Sequence, residues 1–192
     1  MNTRKQHRQL SLLLVLPLLL TTATGVAYRL GHSWFGLSKD FAKIILKVHT
    51  AAFLGEKGEL IYVVVVGLGV IFLAFSGLTL IQRKILMRPQ RVKRFDHRMV
   101  HHLLSGVILI PLAVTAATGV LFHIGYYYLG LPEEVADILM MLHQGGFLGR
   151  ALRPVYVLLL GIGVGLLSWT GVNMLFKGRR KRVSAVDSVD LM

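Results

Sequence analysis

The sequence predicts an all-α membrane protein: a four-transmembrane-helix bundle made of two parallel-oriented tandem repeats, with short interfacial helices in its outer loops. Three observations lead to this prediction. The 192-residue chain is 54% hydrophobic and only 16% charged, which is too apolar for the surface of a soluble domain. It contains four long apolar segments, and its first half recurs in its second half.

The four apolar segments each have roughly the 20 residues that cross a hydrocarbon core of about 30 Å. They cover approximately residues 10–28, 60–80, 103–122 and 155–176. The first segment also resembles a signal peptide, because Arg4 and Lys5 precede its apolar run. We interpret it as a span, since the same segment recurs at residues 111–120, where a signal peptide cannot lie.

The internal repeat becomes visible when the chain is shifted by 94 residues. Residues 17–26 (PLLLTTATGV) then lie over residues 111–120 (PLAVTAATGV), and loop residues such as Gly36-Leu37 lie over Gly130-Leu131. Each repeat holds an even number of spans, so both have the same orientation and are related by a pseudo-two-fold axis along the membrane normal. We place the repeats at residues 1–91 and 92–183, with a mobile tail at 184–192.

Each outer loop contains a segment typical of a short amphipathic helix. These segments cover about residues 38–52 and 132–146, and they open on Ser38 and Pro132, which suit the start of a helix. Acidic residues follow in both. We expect two short helices lying at the outer interface.

The basic residues indicate the orientation of the spans. The net charge is +13, and 15 of the 22 Lys and Arg residues lie at the N-terminus, between spans two and three, or after span four. Because Lys and Arg accumulate on the inner side of a membrane, both termini are predicted to lie in the cytoplasm. The membrane itself is predicted to be a bacterial inner (plasma) or thylakoid membrane. The charge is therefore interpreted as a topology signal, and the lipid bilayer, not nucleic acid, as the partner.

Composition and motifs exclude several classes of chemistry. The chain has no cysteine, which excludes disulfides, thiolate zinc sites, iron-sulfur clusters and covalently attached haem. It has no nucleotide-binding fingerprint and no H-E-x-x-H motif. Carboxylates such as Glu59 are placed in the outer loops, so no buried acid marks an ion pathway. We predict no catalytic residue.

Glycine and threonine in the spans are expected to serve packing. We expect the repeated glycines of spans two and four, Gly67 with Gly69 and Gly161 with Gly163, to allow close helix approach. Threonines in the segments 21–25 and 115–119 can donate to a haem propionate or to carbonyls of their own helix, and the second is favoured.

The histidines are the candidate ligands of a cofactor. The 94-residue shift places His7 over His101 and His49 over His143, and the pseudo-two-fold axis brings the members of each pair together, one pair per leaflet. Haem iron accepts two axial imidazoles, and a flat macrocycle suits a helical bundle. The sequence thus predicts two b haems, with His97 and His102 as inner-side substitutes for His101.

Other interpretations of these histidines stay open. A histidine near a membrane interface is often a simple anchor hydrogen-bonded to a neighbour, and only one of the pairs need bind haem. A chlorin or a quinone would also suit the groove. Tetrahedral zinc is disfavoured, because it requires closely grouped ligands.

Several segments resemble the PepSY-associated transmembrane family, whose first span carries H-R-x-x-G and T-G and whose second carries L-H, G, T/S-G and R-R. The matching segments are residues 101–106 (HHLLSG), Pro111, 117–120 (ATGV), 48–50 (VHT), 53–55 (FLG), Ser76-Gly77 and 82–84 (QRK). The resemblance implies a di-haem b-type cytochrome-like protein in a minimal form without the soluble PepSY domain. It also implies haem-ligand roles for His7, His49, His101 and His143, and reduction of an outer acceptor such as a ferric siderophore.

Two functions are therefore carried forward. The first is transmembrane electron transfer through two haems, with electrons supplied by a donor protein or quinol because the chain has no nucleotide-binding segment. The alternative is a haem-free accessory or assembly subunit of a larger membrane complex, with its helices and basic inner loop as a docking surface.

Overall fold

The computed structural model describes residues 3–87 and 97–189, with the side chains of residues 3–82 and 97–176. Within these ranges the chain is helical and contains no strand, which confirms the predicted fold class. The α-helices are α1 (Thr3–Trp34), α2 (Lys39–His49), α3 (Gly55–Met87), α4 (His97–Tyr128), α5 (Glu133–His143) and α6 (Gly149–Val189).

The helices α1, α3, α4 and α6 are long and apolar enough to cross a membrane. Helix α1 packs against α3 and α6, and α4 packs against the same two helices. In the described ranges no contact joins α1 to α4, so these two helices occupy opposite corners of the bundle. Many large apolar side chains are exposed on the outer surface of the bundle, as expected for a surface that faces lipid.

Glycines mark the places where helices approach most closely. A Cβ atom at Gly67 of α3 would lie 2.2 Å from Cγ2 of Val120, and one at Gly161 of α6 would lie 2.5 Å from Cγ2 of Val26. Gly69 and Gly163 meet Leu14 and Ile108 in the same way. These contacts confirm that the glycines permit close packing, and the two halves of the bundle make them at equivalent positions.

The outer loops follow one course in both repeats. Helices α1 and α4 end two residues before Gly36 and Gly130, whose φ angles of +60° and +64° favour glycine. The short helices α2 and α5 then run to His49 and His143, and each is followed by a left-handed residue and a 3₁₀ turn, Ala52–Leu54 or Gly146–Leu148. The two histidines therefore stand at the C-terminal ends of short helices lying over the bundle.

The structure differs from the sequence predictions at several boundaries. The long helices extend beyond the apolar segments, and Glu59, predicted in a loop, lies near the start of α3. Helix α6 continues to Val189, past residue 183, where the predicted tail begins. Residues 88–96, which include the predicted boundary between the repeats and the basic residues Arg88, Arg91, Lys93 and Arg94, lie outside the described residues, as do residues 190–192.

Candidate functional site

The outer histidine pair is formed by the last residues of two short helices. His49 ends α2 and His143 ends α5. Their ring centroids are 6.4 Å apart and their planes are nearly perpendicular, at 81°. The structure thus brings together two histidines that are 94 residues apart, as the repeat predicts.

Hydrogen bonds fix the tautomer of both outer imidazoles. Nδ1 of His49 lies 2.9 Å from the carbonyl oxygen of Thr21, and Nδ1 of His143 lies 2.8 Å from that of Thr115. A carbonyl only accepts, so each Nδ1 carries the proton and donates it. Each Nε2 is then left with a free lone pair, which is the form that metal-ligating histidines adopt.

A glycine under each ring leaves room for the imidazole. A Cβ atom at Gly25 would lie 3.1 Å from Cε1 of His49, and one at Gly119 would lie 2.9 Å from Cε1 of His143. Each glycine lies four residues after the threonine whose carbonyl accepts the hydrogen bond. Because the glycine has no side chain, that carbonyl is left uncovered. Together the glycine and the carbonyl form a cradle that a Cβ would fill.

The threonine before each glycine bonds to its own helix. The Thr24 hydroxyl donates to the carbonyl of Leu20 at 2.8 Å, and the Thr118 hydroxyl donates to that of Val114 at 2.7 Å. The prediction that these threonines serve their own helices is confirmed for both.

Burial keeps the outer histidines neutral. Desolvation, aided by the neighbouring His143 and opposed by the hydrogen bond to Thr21, lowers the pKa of His49 to about 4. Desolvation also lowers the pKa of His143. Both rings are therefore unprotonated at Nε2 near neutral pH, and only a neutral imidazole can bind a metal ion.

The inner pair uses hydroxyl groups as acceptors. His7 of α1 places Nδ1 2.7 Å from Oγ of Ser76 on α3, and His101 of α4 places Nδ1 3.0 Å from Oγ1 of Thr170 on α6. Each hydroxyl donates its own proton to a carbonyl of its helix, from Ser76 to Leu73 and from Thr170 to Leu166. The hydroxyls must then accept from the imidazoles, which again leaves each Nε2 free.

Glycine also lies beside the inner rings. A Cβ atom at Gly77 would stand 3.6 Å from Cε1 of His7, and one at Gly171 would stand 3.6 Å from Cε1 of His101. All four repeated histidines therefore share one arrangement, in which the ring lies over a glycine that directly follows a serine or threonine.

The two substitute histidines lie beside this arrangement. His102 packs edge-on against His101, with ring centroids 6.3 Å apart, and His97 is the first residue of α4. The ring that meets the Thr170-Gly171 step is that of His101.

The ring separation of the outer pair can be compared with that of two imidazoles sharing one metal ion. Two imidazoles bound through Nε2 to opposite sides of one metal ion, at about 2.0–2.1 Å, have ring centres roughly 6.3 Å apart. The observed separation is 6.4 Å. No group of three His, Cys, Asp or Glu residues able to hold a metal ion occurs among the described residues, and tetrahedral zinc requires such a closely grouped set.

The two pairs stand far apart along the bundle. On α1, His7 and the Gly25 cradle are 18 residues apart, a distance of about 27 Å along the helix. His101 and Gly119 repeat this spacing on α4. The separation approaches the hydrocarbon thickness of about 30 Å, so one pair belongs to each side of the bundle.

Comparisons with protein-family models, with curated proteins and with solved structures found no match. The resemblance to the PepSY-associated family therefore stays a prediction drawn from the motifs in the sequence.

Sequence analysis did not identify the hydrogen-bond acceptors of the histidines. Ser76-Gly77 is part of a family motif, and nothing in the sequence alone singles out Thr170 beside Gly171. The available signal was a hydroxyl residue followed by glycine at four repeat-related positions, in helices where glycine is otherwise unfavourable. The interaction of Arg29 and Arg153 with Gln144, described below, was also missed.

Proposed function

We propose that the protein is a transmembrane electron carrier with two b-type haems, one ligated by His49 and His143 and the other by His7 and His101. The outer pair carries the proposal: its rings are 6.4 Å apart and both Nδ1 atoms are engaged with backbone carbonyls. The repeated Ser/Thr-Gly step beside all four rings and the resemblance to the PepSY-associated family support it.

The chain itself supplies position, insulation and spacing. A haem exchanges one electron between ferric and ferrous iron. The hydrogen bonds from Nδ1 orient each imidazole and raise its basicity, which tunes the potential of the iron it binds. The apolar helices exclude water from the path between the two sites.

The proposed topology assigns one histidine pair to each side of the membrane, and electrons can pass between them in either direction. With both termini in the cytoplasm, His7 and His101 face the inner side and His49 and His143 the outer side. A donor protein or membrane quinol delivers the electron to one haem, and an outer acceptor such as a ferric siderophore takes it from the other.

A haem count on the purified protein tests the proposal. A dithionite-reduced minus oxidised spectrum and a pyridine haemochrome assay in detergent are expected to show b-type bands and two haems per chain. The double variant His49→Ala/His143→Ala should retain one haem. The matched control is His32→Gln, which changes an exposed histidine at the outer end of α1 and should retain both.

A folded preparation from haem-replete cells that contains no haem would overturn the proposal. The paired histidines would then be interfacial residues, and a haem-free accessory subunit of a larger membrane complex would be the better function.

A further inference from the structure

Two arginines from different repeats converge at the outer end of the bundle. Arg29 of α1 and Arg153 of α6 both donate from Nη2 to the same atom, Oε1 of Gln144. Gln144 directly follows His143. Arginines near the ends of spans usually extend to the water, but Arg29 is only 9% exposed and lies inside the bundle.

The cluster has more positive charge than its partners balance. Gln144 is a neutral amide, and the Nε atoms of both arginines are buried without a hydrogen-bond partner. Among the described side chains, no carboxylate forms an ion pair with either arginine. Two guanidinium groups that share one neutral acceptor repel each other and retain unused donors.

The equivalent corner in the other repeat contains a carboxylate, which the described part of the corner of Arg29 and Arg153 does not. The 94-residue shift places Arg29 over His123 and Arg153 over Glu59. At that corner Nδ1 of His123 lies 4.0 Å from Oε1 of Glu59, so the chain supplies its own carboxylate. At the corner of Arg29 and Arg153 both positions are basic, and no carboxylate among the described side chains pairs with them.

We propose that Arg29 and Arg153 form a carboxylate-binding site, and that its occupant is a propionate of the outer haem. This inference rests on the proposed function. Gln144 is adjacent to the ligand His143, and Arg29 lies one helical turn, about 6 Å, beyond the Gly25 cradle toward the outer end. The arginine fork binds a carboxylate through two parallel hydrogen bonds. The site therefore orients the acidic edge of the macrocycle outward.

A comparison between haem and a derivative with blocked propionates tests the assignment. The haem-free protein is titrated with haem and with haem dimethyl ester, in which both carboxylates are blocked. The wild-type protein should bind haem about 10- to 100-fold more tightly than the ester. The variant Arg29→Gln/Arg153→Gln should lose this preference, whereas Arg150→Gln, an exposed control on the same helix as Arg153, should keep it.

The remaining outcomes separate this inference from the proposed function. Equal wild-type binding of haem and ester overturns the propionate site alone, and binding of neither overturns both. If inorganic phosphate raises the melting temperature of the haem-loaded wild type but not of the double variant, the site takes a free anion or lipid phosphate and the propionate assignment is wrong. If the double variant fails to fold, the single variant Arg153→Lys replaces it, because lysine keeps the charge but cannot form the two parallel hydrogen bonds. This variant should prefer haem over the dimethyl ester less strongly than the wild type does. An unchanged preference overturns the assignment.

Discussion

At the scale of single residues, the four repeated histidines share one local arrangement. Each Nδ1 meets an oxygen of a neighbouring helix, and each ring lies beside a glycine that follows a serine or threonine. The arrangement orients the ring before any ligand arrives, because the hydrogen bond and the contact with the glycine both restrict its rotation. At the outer pair the glycine leaves space that a Cβ would take from the ring, whereas at the inner pair a Cβ would make an ordinary contact.

The variant Gly119→Ala tests this dependence. Its Cβ would lie 2.9 Å from Cε1 and 3.0 Å from Nδ1 of His143, so the ring must shift and its hydrogen bond to Thr115 must lengthen. We expect haem affinity at the outer site to fall about 10- to 100-fold, the usual effect of losing a partner behind a metal ligand. Haem titration of the purified protein measures it.

The control for this variant is Gly165→Ala, since a Cβ there meets nothing within 4 Å. It should bind haem as the wild type does. Equal losses in the two variants would mean that alanine acts through the helices generally and not through the ring of His143.

Acidification should destabilise the haem-free protein through His49. Its pKa is 6.5 in the unfolded chain and about 4 in the folded protein, because the ring is desolvated beside His143. Between these values the unfolded chain binds a proton that the folded chain excludes. Stability that is full above 6.5 is therefore lost as the pH falls to about 4, by on the order of 3 kcal/mol.

Thermal unfolding in detergent over this pH range, followed by circular dichroism, measures the loss. The variant His49→Gln should show a shallower dependence on pH than the wild type. Identical slopes in the two proteins would assign the effect to other groups.

At the scale of elements, the link between each short helix and the next span sets the position of the outer histidine. A residue with positive φ follows each histidine by two positions: Ala51 at +58° and Gly145 at +68°. The left-handed residue turns the chain into the 3₁₀ turn, and its conformation costs an alanine roughly 1–2 kcal/mol. The two repeats therefore form the same turn, but glycine adopts the left-handed conformation without the steric cost that alanine carries.

Reciprocal substitutions at this turn should have unequal effects. Gly145→Ala combines a positive φ with a Cβ placed 2.3 Å from Cδ1 of Tyr156, so it should destabilise the protein by more than about 1 kcal/mol and displace His143. Ala51→Gly should change stability little, because relief of the left-handed alanine offsets the greater freedom of glycine when unfolded. Denaturation of both variants in detergent checks the difference, and a larger cost for Ala51→Gly would contradict it.

At the scale of the whole molecule, the pseudo-two-fold axis determines where the sites lie. Helices α1 and α4 stand at opposite corners, and each pair takes one histidine from each repeat. The proposed orientation places the outer pair on the side opposite the cytoplasm, as the distribution of Lys and Arg indicates.

The absence of cysteine from the sequence makes this orientation easy to measure. We expect Ser38→Cys, in the outer loop, to react with a membrane-impermeant maleimide in intact cells. Ser184→Cys, after the fourth span, should react only once the membrane is permeabilised. Labelling in the reverse order would invert the topology and exchange the roles assigned to the two pairs.

The sequence was sufficient for the features that repeat. Hydropathy located the spans, and the 94-residue shift identified His49 with His143 and brought them together, as the structure confirms. It did not reveal the partner of His7, because a serine 69 residues away becomes a neighbour only through the packing of α1 on α3. It also did not distinguish Arg29 and Arg153 from the other basic residues outside the inner loops, since charge alone does not show which guanidinium groups are withdrawn from water.

The corner occupied by Arg29 and Arg153 has a consequence for the history of the fold. A shorter ancestor with a single hairpin would form both histidine pairs as a homodimer, but such a dimer carries the same residue at both symmetry-related corners. Duplication within one chain removes that constraint, and here one corner has two arginines while the other has His123 and Glu59. A ligand held by the outer pair would therefore have two chemically different corners around it, where a symmetric dimer would offer two identical ones.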